Sequence, residues 1–113
     1  MAVVYKICPN KEWRTAEATG VFKGSDIDLK DGFIHLSNAD QVAGTLEHYF
    51  AGQAGLVLVA IDSGRLGDAL RHEPSRDGVL YPHLHGALPM DAVLWVRTID
   101  IADGRHMLPD LNP

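Results

Sequence analysis

Six consecutive apolar residues, Leu56-Val57-Leu58-Val59-Ala60-Ile61, restrict the fold more than any other stretch of this chain. Successive side chains of a strand point to opposite faces, so an uninterrupted apolar run needs cover on both sides. A membrane-spanning helix takes about 20 apolar residues, and this run is far shorter. It reads as an interior strand, and the rest of the chain must supply a layer for each face. Val3-Val4-Tyr5-Lys6-Ile7-Cys8 reads as a first strand, again with apolar groups on both faces. Lys6 stands out in it. Either its long stem carries the charge to the surface near the strand end, or it sets a cation over a pocket.

Helical signals are fewer. Asn10 is a candidate cap for a helix over 11–19, in which Trp13 and Ala16 share a buried face and Gly20 marks the end. Residues 21–30 show no clean period, and Gly24-Ser25-Asp26 reads as a loop. Asp31-Gly32 signals a turn into a short strand from Phe33 to Leu36. Ser37, with Asp40 three residues on, approximates a capping box. The helix it opens would carry Ala39, Val42, Ala43, Leu46, Tyr49 and Phe50 as one apolar stripe. Further strands read at 71–73, 79–81 and 92–99, and the tail 103–113 is expected to pack loosely. Five or six strands and two main helices without regular alternation predict an α+β fold. The sheet is expected to be twisted and mixed or antiparallel, in a single domain over 1–113.

Charge and cysteine usage narrow the function. A net charge of -5 argues against a nucleic-acid binder, which is usually basic. Cys8 is the only cysteine, so no internal disulfide forms and a reducing compartment is favoured. Residues 1–9 lack a secretory pattern, and no membrane segment is read. The expected location is cytoplasmic.

The polar residues with chemical promise are few and far apart. His35 sits at a strand end beside a helix start, where amides favour anions, although a satisfied core histidine is the plainer reading. Ser37 either caps that helix or holds a ligand hydroxyl. Glu73 could act on a developing cation or pair with Arg71. His83 and His85 share one side if the backbone is extended. His35, Glu73, His83 and His85 carry suitable atoms for zinc, but no HExxH or paired-cysteine spacing accompanies them. No metal is therefore assigned, and a zinc-binding protein stands as an alternative. GxSxG, GxGxxG and GxxxxGK are all absent, and Cys8 reads as a small buried residue.

Tyr5-Lys6-Ile7, Trp13 before Gly20, Gly32-Phe33-Ile34-His35-Leu36-Ser37 with Gln41, Glu73, and Pro82-His83-Leu84-His85-Gly86 together form a pattern. It resembles that of the small bacterial "domain of unknown function" family numbered 952. The resemblance runs from Tyr5 to about Val93, and the two longest blocks together carry its specificity. The family's fold is distantly similar to that of ADP-ribosyltransferases, which implies a split sheet holding NAD in a cleft. That similarity implies Tyr5-Lys6, Ser37 and Glu73 as the aromatic–basic, serine and glutamate elements, with His35 and His83 as added polar walls. The chain departs from the family at Lys6, often histidine there, and at His85, often tyrosine.

The function so implied is binding of a nicotinamide nucleotide, or another nucleoside-containing anion, with transfer or hydrolysis of its ribosyl group. Glu73 and His35 are the candidate catalytic residues. Tyr5, Lys6, Ser37, His83 and His85 are the candidate ligand contacts, with Lys6 attracting phosphate and Tyr5 forming an aromatic wall. NAD enters as substrate rather than as resident cofactor. A noncatalytic ligand- or partner-binding module is the alternative, favoured if Trp95 or Met90 lies exposed beside the cleft.

Overall fold

The computed structural model describes residues 2–75 and 77–111. Strand β4, Leu56–Asp62, lies inside a four-stranded sheet between β1, Val3–Pro9, and β8, Val93–Ala102. Its alternation feeds two cores. Val57, Val59 and Ile61 join Val4 and Cys8 of β1 on one face. Leu56, Leu58 and Ala60 join Tyr5 and Ile7 on the other. Fully burying one large aliphatic side chain is worth about 1.5–3 kcal/mol, so β4 is the main anchor of both layers.

The helices divide between those faces. In α1, Asn10–Thr19, Trp13 and Ala16 enter the first core. In α3, Val42–Tyr49, Val42 and Leu46 enter the second. Helix α1 has Pro9 in the cap position, and Asn10 is its first helical residue rather than its cap. Gly20 ends it in the left-handed region, as its sequence position suggested.

Five shorter strands lie over the first core. β3, Ile34–His35, β6, Leu80–Leu84, and β5, Leu70–Pro74, form a sheet in the order β3-β6-β5. β2, Val21–Phe22, pairs with β7, Leu88–Pro89. Every pairing among the described strands is antiparallel. The two larger sheets meet at one bridge, where the Tyr5 and Ser37 amides each donate to the other's carbonyl at 2.8 Å. The fold is thus α+β, a single compact domain with a curled, split antiparallel sheet.

Several expectations need correction. Residues 26–31 form a helix, α2, not a loop, and Ser25 and Asp28 form its reciprocal capping box. Gly32 is the left-handed end of that helix, so Asp31-Gly32 is a helix terminus rather than a free turn. The capping box before α3 joins Asn38 and Gln41, one residue beyond the Ser37–Asp40 pair. The stripe of α3 is narrower than expected, with Tyr49 53% exposed. Of the tail expected to pack loosely, residues 103–111 are described and make contacts with the domain. β9, Arg105–Met107, pairs with β8, Leu111 packs on the second core, and Arg97 donates to the Asp110 carbonyl. Residues 112 and 113 lie outside the described residues.

Candidate functional site

Lys6 is the residue from which the site can be built. It shares the β1 face of Val4 and Cys8, under the smaller sheet, and is only 4% exposed. A buried ammonium needs a counter-charge, and Asp28 of α2, itself 2% exposed, supplies it at 2.8 Å. Lys6 Nζ also donates to the His35 carbonyl at 3.1 Å. The Asp28 carboxylate collects more donors: the His35 amide at 3.1 Å, His35 Nδ1 at 2.6 Å, the Ser25 amide at 2.9 Å and the Ser25 hydroxyl at 3.0 Å. Burial alone would push this carboxyl upward. The His35 hydrogen bond, the Lys6 charge and hydrogen bond, and the Ser25 amide outweigh it, so Asp28 stays well below the usual carboxylate range.

Gly24 makes this wrap feasible. A Cβ there would lie 2.7 Å from Asp28 Cβ, and its φ of +119° is one that side-chain-bearing residues rarely adopt. The chain can therefore press against Asp28 and deliver the Ser25 donors. His35 is oriented in turn. Nδ1 is held by Asp28, and Nε2 lies 3.0 Å from Asp31 Oδ2 on the outer side.

A second cluster forms across β5 and β6. Glu73 pairs with Tyr81, so His83 is its diagonal neighbour on the same face. Glu73 Oε1 receives His83 Nδ1 at 3.0 Å and His85 Nε2 at 2.6 Å. Oε2 accepts from no described residue. The His85 and His83 hydrogen bonds hold the Glu73 carboxyl below its ordinary value. His83 is shifted down by burial, which outweighs the opposing pull of Glu73. Its Nδ1, facing an ionised Glu73, is the nitrogen placed to donate.

Phe33 joins the clusters. Its ring stacks on His83 at 4.2 Å between centroids and meets His35 at 4.7 Å and His85 at 5.3 Å. His35 and His83 are register partners across β3 and β6, with ring centroids 5.6 Å apart. The result is one face of three imidazoles around a phenyl ring, with a carboxylate at its margin. Beside it lies a cleft of about 240 Å³ whose lining includes Lys23, Asp28, Gly32, Phe33 and Gly86.

The structure brings His35, Glu73, His83 and His85 together. Tyr5 and Ser37 are elsewhere. Tyr5 faces the second core, where its hydroxyl donates to the Leu111 carbonyl at 3.2 Å and its ring lies 6.0 Å from Trp95. Ser37 is buried, with its hydroxyl 3.1 Å from Thr45 Oγ1. Lys6 is beneath the site, occupied by Asp28 and His35, so it does not meet a phosphate there. The aromatic ring at the cleft is that of Phe33, whereas Tyr5 faces the second core. Asp28, Phe33 and Lys23, which line the cleft, were not among the candidates read from the sequence. For Asp28 there was a signal, because a lysine within a strand apolar on both faces requires an acid partner.

The alternatives fare differently. Among the described residues no group of three His, Cys, Asp or Glu side chains is set to hold a metal ion, which leaves the zinc alternative without a ligand set. Met90 packs on the first core and Trp95 on the second, so neither supports a partner-docking face beside the cleft. Burial pushes the Cys8 thiol up to about 12, against the opposing charge of Lys6, so it is no ready nucleophile. No helix among the described residues is long and apolar enough to cross a membrane.

Comparison with known proteins places the chain. The crystal structure of protein CC0527 from Caulobacter crescentus superposes with a TM-score of 0.87 at 43% identity, covering 93% of each chain. The crystal structure of a double mutant of CC0527, with two introduced methionines, gives 0.87 at 42% identity over the same shares. The solution structure of CC0527 gives 0.81 at 45% identity, over 92% of this chain and 90% of that one. No curated protein matches the chain. The family described as "Protein of unknown function (DUF952)" matches residues 7–96, and the chain belongs to that family.

Proposed function

We propose that the imidazole face and its neighbouring cleft bind a nucleoside-containing anion, such as a nicotinamide nucleotide, and that the site transfers or hydrolyses its ribosyl group. One observation carries the reading. Glu73 is kept ionised by two imidazole donors on Oε1, while Oε2 accepts from no described residue. A carboxylate oriented in this way can stabilise positive charge that develops beside it. In ribosyl transfer, the bond between the base and C1′ breaks and its electron pair leaves with the base. C1′ becomes cationic, and Oε2 lies against that charge. With water as acceptor, its oxygen bonds to C1′ and its proton passes to Glu73.

The remaining groups orient the ligand. Phe33 and the imidazoles offer flat surfaces for the base. His35, held between Asp28 and Asp31, keeps its ring fixed at the edge of that face. The analogy to ADP-ribosyltransferases that the sequence resemblance implies is one of fold alone and is in keeping with this reading. The test is a ligand screen with product analysis on wild type and Glu73→Gln. Saturable nucleotide binding with free base appearing is expected for wild type. Glu73→Gln should bind and release no base. Failure of the folded wild type to bind any nucleotide would sink the reading, and binding without base release would leave a noncatalytic ligand module.

A further inference from the structure

Lys6 is enclosed, so the anionic end of the ligand requires another cation. The cleft beside Phe33 offers one. Lys23, just after β2, lines that cleft. Asp28, the acid of the cleft lining, is already engaged by Lys6 and by His35 Nδ1. Lys23 has no ion-pair partner among the described residues. The cleft lining therefore holds a lysine that no described carboxylate engages, although the whole chain is acidic. Phe33 belongs both to this cleft and to the imidazole face, so one ligand can span the two.

The size of the cleft narrows the ligand class. Sites that bury a drug-sized molecule run to roughly 300–1,000 Å³. A cleft of about 240 Å³ suits a phosphate and part of a sugar, with the base laid outside on the rings. We infer that Lys23 is the phosphate contact of this site and that the preferred ligand is a nucleoside monophosphate. The inference rests on the reading given under Proposed function and adds the charged subsite to it.

The experiment compares nicotinamide mononucleotide with nicotinamide riboside, which differ only in the 5′-phosphate. Calorimetric titration of wild type, K23A and K23R supplies affinities, and chromatography follows free nicotinamide. A charge-assisted contact predicts that K23A weakens the mononucleotide about tenfold more than the riboside, and that K23R restores it. Equal effects on the two ligands, or none on the mononucleotide, overturn the phosphate assignment. If base is still released in that case, the ribosyl chemistry stands without it. Binding of the mononucleotide that depends on Lys23 but releases no base keeps the subsite and removes the chemistry. No binding of either ligand by the folded protein overturns both.

Discussion

Asp28→Asn would keep the shape of the most enclosed carboxylate and remove its charge, stranding Lys6 in a buried position. Breaking a buried ion pair from one side costs about 3–5 kcal/mol, whereas replacing both partners by apolar groups costs far less. Urea denaturation should therefore show a larger loss in Asp28→Asn than in a Lys6→Met, Asp28→Leu double variant. The same measurement carried down in pH tests three groups. His83, Glu73 and Asp28 all take up protons less readily in the folded chain than in the unfolded one. Each contribution is whole above the unfolded value and is lost as pH falls through the folded value. Decline should begin below about 6.5 from His83, add a limb below about 4.5 from Glu73, and another below about 3.8 from Asp28. Asp28→Asn should lack the last limb; an unchanged acid profile would contradict the assignment. The residue scale was also where the sequence was least informative. His35, Glu73, His83 and His85 could be singled out as polar groups beside apolar strands. Nothing local to Asp28 announced that it would be buried, because its burial is imposed by β1, far away in the chain.

Elements with long regular patterns were legible, and short ones were not. β4 and β1 were readable because an apolar run on both faces has few other solutions. Helix α2 was missed because its six residues leave Ile27 and Leu29 exposed and bury only Asp28, so no apolar period exists to detect. Its true signal was Ser25 followed three residues later by an acid, the same capping variant that drew attention to Ser37 and Asp40. Two similar signals lay close together, and only the surrounding packing decides between them. The loop entering α2 gives a direct test. Gly24→Ala would force a Cβ onto Asp28 in a strained backbone region, at about 1–3 kcal/mol for the strain alone. Thermal melts should show that loss, and the His35 ring resonances should shift because Asp28 orients that ring. A melt unchanged from wild type would mean that the chain does not press on Asp28 as described.

At the scale of the whole molecule, β1 belongs to everything. It pairs with β4, borders both cores, bridges to Ser37 and carries Lys6 to the site. The Cα radius of gyration of 13.2 Å is close to the roughly 13 Å expected for a compact chain of this length, consistent with a C-terminal segment folded back by β9 and Leu111. The two-faced centre followed from the sequence pattern, which left the sheet mixed or antiparallel; the pairing is antiparallel. The split sheet was implied by the family resemblance and not by periodicity, because β2, β3 and β7 have two residues each and leave no period. Cys8 lies within this arrangement, paired with Val57 and 0% exposed. A thiol reagent in solution can reach it only after β1 parts from its neighbours. Labelling at about pH 8, near the ordinary thiol range, should be slow in buffer and accelerate with urea along the global unfolding curve. Rapid labelling in buffer would reveal a local opening of β1. Because the chain has one sulfhydryl, each alkylated molecule marks one such excursion, and mass spectrometry can count them without any added probe.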